Sequence, residues 1–194
     1  MKPAYYSVEE MIEMIDEPEQ SACKQMLQEN WKLFQTVWGS SANHQAWEGG
    51  YFDHIQEVMN IAVATYQFYN AIRPLPFLLS DALLVLFVHD IEKPWKYELG
   101  SDGKLQYIQP LFTKNAQHKF RLHKLTEYGI NLTPEQEKAM RYVEGEGEDY
   151  SNKQRVMSSL GAFCHIADIS SARIWFEYPL EEFDPWRGAW RCRA

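Results

Sequence analysis

Residues 78–95 read LLSDALLVLFVHDIEKPW: an almost unbroken apolar run that ends in a histidine and an aspartate, followed at once by charged residues. The apolar side chains fall on nearly every side of a helix, so a central, buried helix is expected from Ser80, a residue type that caps helix starts, to Asp90. Closing such a helix with His89 and Asp90 leaves an ionisable pair that needs partners, and the cost of burying it falls if both point at a cation. Consecutive helical residues lie about 100° apart, so an ion touching both must sit off the helix side and draw ligands from other elements. Two residues on other long helical stretches are suited to this: His54, just after Gly49-Gly50, and Asp168, within CHIADISSAR. Taken singly, each of these residues is more often a hydrogen-bonded core group than a ligand. Taken together, His54, His89, Asp90 and Asp168 form a mixed nitrogen and oxygen donor set that leaves positions open for water and substrate.

Outward from this stretch the chain reads as helix after helix. Ser7-Val8-Glu9-Glu10 has the capping-box form, and Pro18 ends the short helix it starts. A second helix is expected over 20–38 and a third over 50–72, where Ile55, Val58, Met59, Ala62, Val63 and Tyr66 recur at helical spacing. KYELGSDGKLQYI alternates on both sides of Gly100-Ser101-Asp102-Gly103, which predicts a β-hairpin. Helices resume over 113–128, stopped by Gly129, and at Thr133-Pro134-Glu135-Gln136, another capping box. EGEGEDYSN is a polar loop, a last long helix is expected over 153–176, and the tail is aromatic and irregular.

Composition sets the class. The chain has 194 residues, 45% of them hydrophobic, which suits a single domain over 1–194: a core at about 40–175, N-terminal helices over 1–39 and the tail over 177–194. A net charge of −8 argues against a surface built for long nucleic acid. Cys23, Cys164 and Cys192 are odd in number and widely spaced, giving neither a disulfide framework nor a zinc knuckle. PLPFLLSDALLVLFV is interrupted by Asp81 and too short to span a bilayer, and the acidic N-terminus lacks a secretory core, so a cytoplasmic protein without a membrane partner is expected.

Three stretches carry a resemblance. HQAWEGGYFDH (44–54), HDIEKPWKY (89–97) and HIADISSAR (165–173) resemble the HHAYxGGLxxH, HDIGKxxEY and LHxADxxDA patterns of the HD superfamily of metal-dependent phosphohydrolases, notably HD proteins related to bacterial 3′-to-5′ exoribonucleases. The family order of a His, a His-Asp pair and a distant Asp falls on His54, His89-Asp90 and Asp168. Gln45 stands where the family has its second histidine and Glu92 where it has a small glycine; neither removes a ligand. His118 is placed where binuclear relatives carry an extra histidine, but Val143-Glu144-Gly145 replaces their later His-His-Gly. A second ion through His118 and Glu144 stays open, with one ion favoured.

The resemblance implies an all-α HD-domain helical bundle with a small β-hairpin inserted after the HD helix. It implies hydrolysis of a phosphoester or phosphoanhydride, in a nucleotide or short oligonucleotide, by water activated on one divalent ion: manganese, iron, cobalt, nickel or magnesium. Asp90 and Lys93 are the expected catalytic residues. Lys93 either steadies phosphoryl charge or is a solvated helix-end lysine favoured by the macrodipole. With Lys93, the expected substrate-binding residues are His44, His118, Arg121 and His123; on one helix, positions 118, 121 and 125 share a face, as do 119 and 123. Trp47, Tyr51, Trp95 and Tyr97 are either stacking partners for a base or ordinary core aromatics. Glu144 and Glu146 are either water-activating groups or plain loop charges, and a core or supporting role is expected for His165. Two other classes stay open: a di-iron oxygenase, and a non-catalytic sensor that keeps metal for folding.

Overall fold

The computed structural model describes residues 3–99, 101, 105–108, 111–180 and 184–189, and they form an all-α fold with one two-stranded hairpin. Ser7 starts α1 (Val8–Ile12) through the expected box: its amide donates to Glu10 Oε2 at 2.8 Å and its Oγ accepts from the Glu10 amide at 3.2 Å. The single helix expected over 20–38 is two, α2 (Glu19–Glu29) and α3 (Trp31–Thr36). Asn30 divides them, because its side-chain amide donates to Met26 O at 2.9 Å and to Tyr128 Oη at 2.8 Å instead of facing solvent from a continuing helix.

α4 (Gly50–Ile72) has the expected bounds, and α5 (Leu79–Val88) is the buried apolar helix. Its start differs from expectation. Ser80 is no cap; its Oγ accepts from the distant Asp16 amide at 2.8 Å, while the Asp81 carboxylate accepts from the Leu78 amide at 2.9 Å. The α-helix ends at Val88, so His89 to Glu92 form a turn that leads into the short α6 (Lys93–Lys96). The hairpin follows, β1 (Tyr97–Leu99) antiparallel to β2 (Leu105–Tyr107) with Glu98 opposite Gln106; Gly100, Asp102 and Gly103 of the expected turn lie outside the described residues.

α7 (Lys114–Glu127) ends before Gly129, whose φ of 72° is the left-handed stop that a glycine supplies readily. α8 (Pro134–Tyr142) has the expected Thr133/Gln136 box, with distances of 2.8 and 3.2 Å. The last helix starts later than expected. α9 (Ser159–Ile169) is capped by Ser158, whose Oγ accepts from the Gly161 amide at 3.1 Å, and it passes into a π-helical turn over Ser170–Ile174. α4, α5, α8 and α9 pack on one another as the central bundle, with α1 against α4 and α5. Among the described residues no helix is long and apolar enough to cross a membrane.

Candidate metal centre

The bundle brings three separate elements to one point. His54 lies one turn into α4, His89 and Asp90 in the turn after α5, and Asp168 near the end of α9. The start of α4 is set by its glycines: Gly49 has φ 80°, and a Cβ on Gly50 would stand 1.9 Å from Gln45 O. Only hydrogen fits there. Gly50 therefore lets the Gln45 loop close onto the helix that carries His54.

His54 Nε2 is 3.2 Å from Asp168 Oδ1 and 3.8 Å from Asp90 Oδ2. His89 Nε2 is 3.3 Å from Asp90 Oδ2 and 3.6 Å from Asp168 Oδ1. One donor atom from each of His54, His89 and Asp168 lies within 4.8 Å of the others. Both imidazoles are oriented from behind. His89 Nδ1 donates to Leu86 O at 2.7 Å, which turns Nε2 toward the cluster. Behind His54 stands Ser171, whose hydroxyl donates to Glu57 Oε2 at 2.8 Å and so accepts from His54 Nδ1 at 3.2 Å.

Whether a cation fits is decided by what is left unsatisfied. Among the described residues, His89 Nε2 and Asp90 Oδ1 are buried without a hydrogen-bond partner, a costly state that ligation or a bound water would end. Charge points the same way. Burial pushes the His89 ring down, but Asp90 and Asp168 outweigh it and hold it up at about 10: the carboxylates draw positive charge to this spot. Burial alone would raise Asp90 and Asp168; Lys93 and His89 hold the first low, and the nearby imidazoles of His54 and His89 hold the second low. These groups therefore suit a divalent ion.

Lys93 is not a solvated helix-end lysine. It is 7% exposed, and its Nζ lies 2.6 Å from Asp90 Oδ2. Glu92, a departure that looks peripheral in the sequence, is fully buried and grips Arg121 in a fork, Nε to Oε2 at 2.6 Å and NH2 to Oε1 at 3.0 Å. Arg121, expected on substrate, is thus committed to Glu92, with Glu144 at 3.4 Å and Asp90 Oδ1 at 3.9 Å. The structure turns the buried face of α7 inward through Gln117, Arg121 and Leu125, and leaves Lys119 and His123 exposed.

His44 is half-buried with its ring 5.1 Å from that of His54, and burial, then His54 and Lys93, push its pKa down to about 3, so it is a neutral neighbour of the cluster. It also borders a cavity of about 480 Å³ with Trp47, Phe176 and Leu180. His118 stands apart from the cluster, 3.8 Å from Glu137, and borders a second cavity of about 580 Å³ with Arg121, Arg141 and Glu144. Glu144 is paired with Arg121 at 3.4 Å and with Lys114 at 3.3 Å, so an ion shared by His118 and Glu144 would compete with these cations. Glu146 accepts from the Met157 amide at 3.0 Å, and His165 Nδ1 lies 2.6 Å from Val143 O. Tyr51 is a core ring against Phe34, Trp95 packs between Phe34 and Phe120 beneath Lys124, and Tyr97 lies under Lys96; Trp47 lines the cavity that His44 borders.

Glu57 and Ser171 are the residues that sequence reasoning missed. A signal existed: each lies three positions beyond a proposed ligand, His54 or Asp168, which is one helical turn. Gln45 completes the group, its side-chain amide donating to Glu57 Oε2 at 3.1 Å and to Ser171 Oγ at 3.2 Å. Removing the hydroxyl in Ser171→Ala is expected to weaken Mn²⁺ binding about 10- to 100-fold, the usual effect of losing a group that orients a ligand imidazole. Titration with Mn²⁺ checks this, and an unchanged affinity would mean that His54 is oriented without Ser171. No family model, curated protein or solved structure matches the chain.

Proposed function

We propose that this chain is an HD-type metal-dependent phosphohydrolase acting on a small phosphorylated substrate, a nucleotide or short oligonucleotide, in the cytoplasm. The observation that carries the reading is the convergence of His54, His89 and Asp168, with Asp90 beside them, around a buried and unpartnered His89 Nε2. His54, His89 and Asp168 would hold a divalent ion, manganese, iron, cobalt, nickel or magnesium, with Asp90 as the further oxygen donor. Such an ion, when bound, lowers the pKa of water and polarises a phosphoryl oxygen. The protein's own groups do the rest: Ser171 and Leu86 O fix the two imidazoles, Lys93 offers positive charge to the phosphoryl oxygens, and His44 lines the approach. Burial supports a small substrate, since the Asp168 side chain is only 15% exposed and both ligand imidazoles are buried.

The test is phosphate release from mono-, di-, tri- and cyclic nucleotides and short oligoribonucleotides, using stripped protein with manganese, nickel or magnesium restored. Release is expected only with added ion, and is expected to vanish in Asp168→Ala while helical circular dichroism persists. Chelator should also lower the melting temperature of the loaded protein, because an ion bound only by the native state stabilises it. No release from any of these substrates with any of the three ions would sink the reading. A second reading, an iron-dependent oxygenase, is favoured by one feature: with Asp90 held by Lys93, His54, His89 and Asp168 remain as a two-histidine, one-carboxylate set. Turnover that needs iron and stops under anaerobic conditions would select it.

A further inference from the structure

Asp90 has two claimants. Its Oδ2 lies 3.3 and 3.8 Å from the imidazole nitrogens of His89 and His54, where an ion held by those rings would reach it, yet the same oxygen is 2.6 Å from Lys93 Nζ. Lys93 is three residues beyond Asp90 and buried with it, so its ammonium has little water to retreat to. Glu92, the other nearby buried carboxylate, is already gripped by Arg121. Asp90 is therefore the main counter-charge of Lys93, and a divalent ion approaching this oxygen meets a fixed positive charge within a few ångströms.

We propose that Lys93 is a built-in counter-cation that competes with the divalent ion for Asp90, weakening metal binding while keeping the metal-free site folded. This rests on reading the cluster as a cation site, and not on the reaction it performs. Two consequences follow from electrostatics. In the metal-free protein the ammonium neutralises a buried carboxylate that would otherwise be destabilising. In the loaded protein it repels the ion at short range through a medium of low effective dielectric, so removing it must tighten binding. A lysine that merely oriented Asp90 as a ligand would act in the opposite sense, and its removal would loosen binding. The sign of the change separates the two roles.

The experiment compares wild type, Lys93→Met and Lys93→Arg, each stripped with chelator, by calorimetric titration with Mn²⁺ and by thermal melting with and without the ion. Lys93→Met is expected to bind Mn²⁺ at least about tenfold more tightly, given the strength of charge repulsion at this range. It should melt below wild type when metal-free and gain more from added Mn²⁺. Lys93→Arg keeps the charge and is expected to stay within about threefold of wild type in affinity, although a planar fork fits Asp90 differently. If Lys93→Met does not fold without metal, its affinity is read from the loaded protein by competition with a chelator of known strength. Binding equal to or weaker than wild type in Lys93→Met, or equal tightening in Lys93→Arg, overturns the proposal. Wild type that takes up neither Mn²⁺, Ni²⁺ nor Mg²⁺ overturns the cation site itself, and the proposal with it.

Discussion

Glu92→Gly should lower the stability of the fold by about 3–5 kcal/mol, the penalty for stripping one partner from a buried ion pair. The residue is fully buried, and its two oxygens take both arms of the Arg121 fork. Removing it leaves a guanidinium inside the protein, with Glu144 at 3.4 Å and the edge of Asp90 at 3.9 Å as remaining partners. That charge would also pull on Asp90, so metal affinity should change along with stability. Urea denaturation checks the first effect. A loss below about 1 kcal/mol, the range of exposed pairs, would mean that the pair is effectively solvated. Glu92→Met combined with Arg121→Met should recover most of the loss, because replacing a whole buried pair by apolar side chains is often neutral or better. The larger residue at this position, where the pattern that the stretch resembles has a glycine, is matched by a cation from α7.

Gly50→Ala is expected to crowd the fold more than alanine at Gly39, Gly129, Gly145, Gly147, Gly161 or Gly188. The added Cβ would stand 1.9 Å from Gln45 O and 2.8 Å from Gln45 C, and both are backbone atoms that no rotamer change can move aside. Either the Gln45 loop or the first turn of α4 must shift, at a cost of about 1–3 kcal/mol or more for overpacking. Gln45 is buried with φ 39°, and its amide reaches Glu57 and Ser171, so the shift would reach His54 through the group that orients it. Thermal melting and Mn²⁺ titration should therefore fall together. Gly129→Ala is the control: it has φ 72° but nothing within 4 Å of the added carbon, so it tests backbone strain without crowding, and metal binding should hold. Stability of Gly50→Ala within about 0.5 kcal/mol of wild type, the usual range of harmless substitutions, would refute the account of the α4 start.

What the sequence determined by itself has local causes. The Ser7/Glu10 and Thr133/Gln136 boxes, the Gly129 stop, the hairpin strands and the buried character of the helix before His89 each depend on residues within a few positions of one another, so pattern and propensity suffice to read them. The cluster was also legible, because four residues of two types, two histidines and two aspartates, stood in an order that resembles a known pattern, and the bundle does bring His54, His89 and Asp168 together.

Tertiary structure alone decided the rest. The helix over 20–38 breaks because Asn30 finds Tyr128, and Ser80 gives up capping because its hydroxyl meets the Asp16 amide, partners 98 and 64 residues away. The charges around the cluster show the same limit more sharply. From sequence, Lys93 reads as a catalytic lysine that steadies phosphoryl charge or else a helix-end lysine, Glu92 as a change that removes no ligand, and Arg121 as a substrate contact; all three are buried and paired. In water such charges interact weakly and their roles are interchangeable; out of water each must have a specific partner. Which of them leaves water is set by how α5, α6 and α7 meet, and that is a property of the packed fold rather than of any one segment.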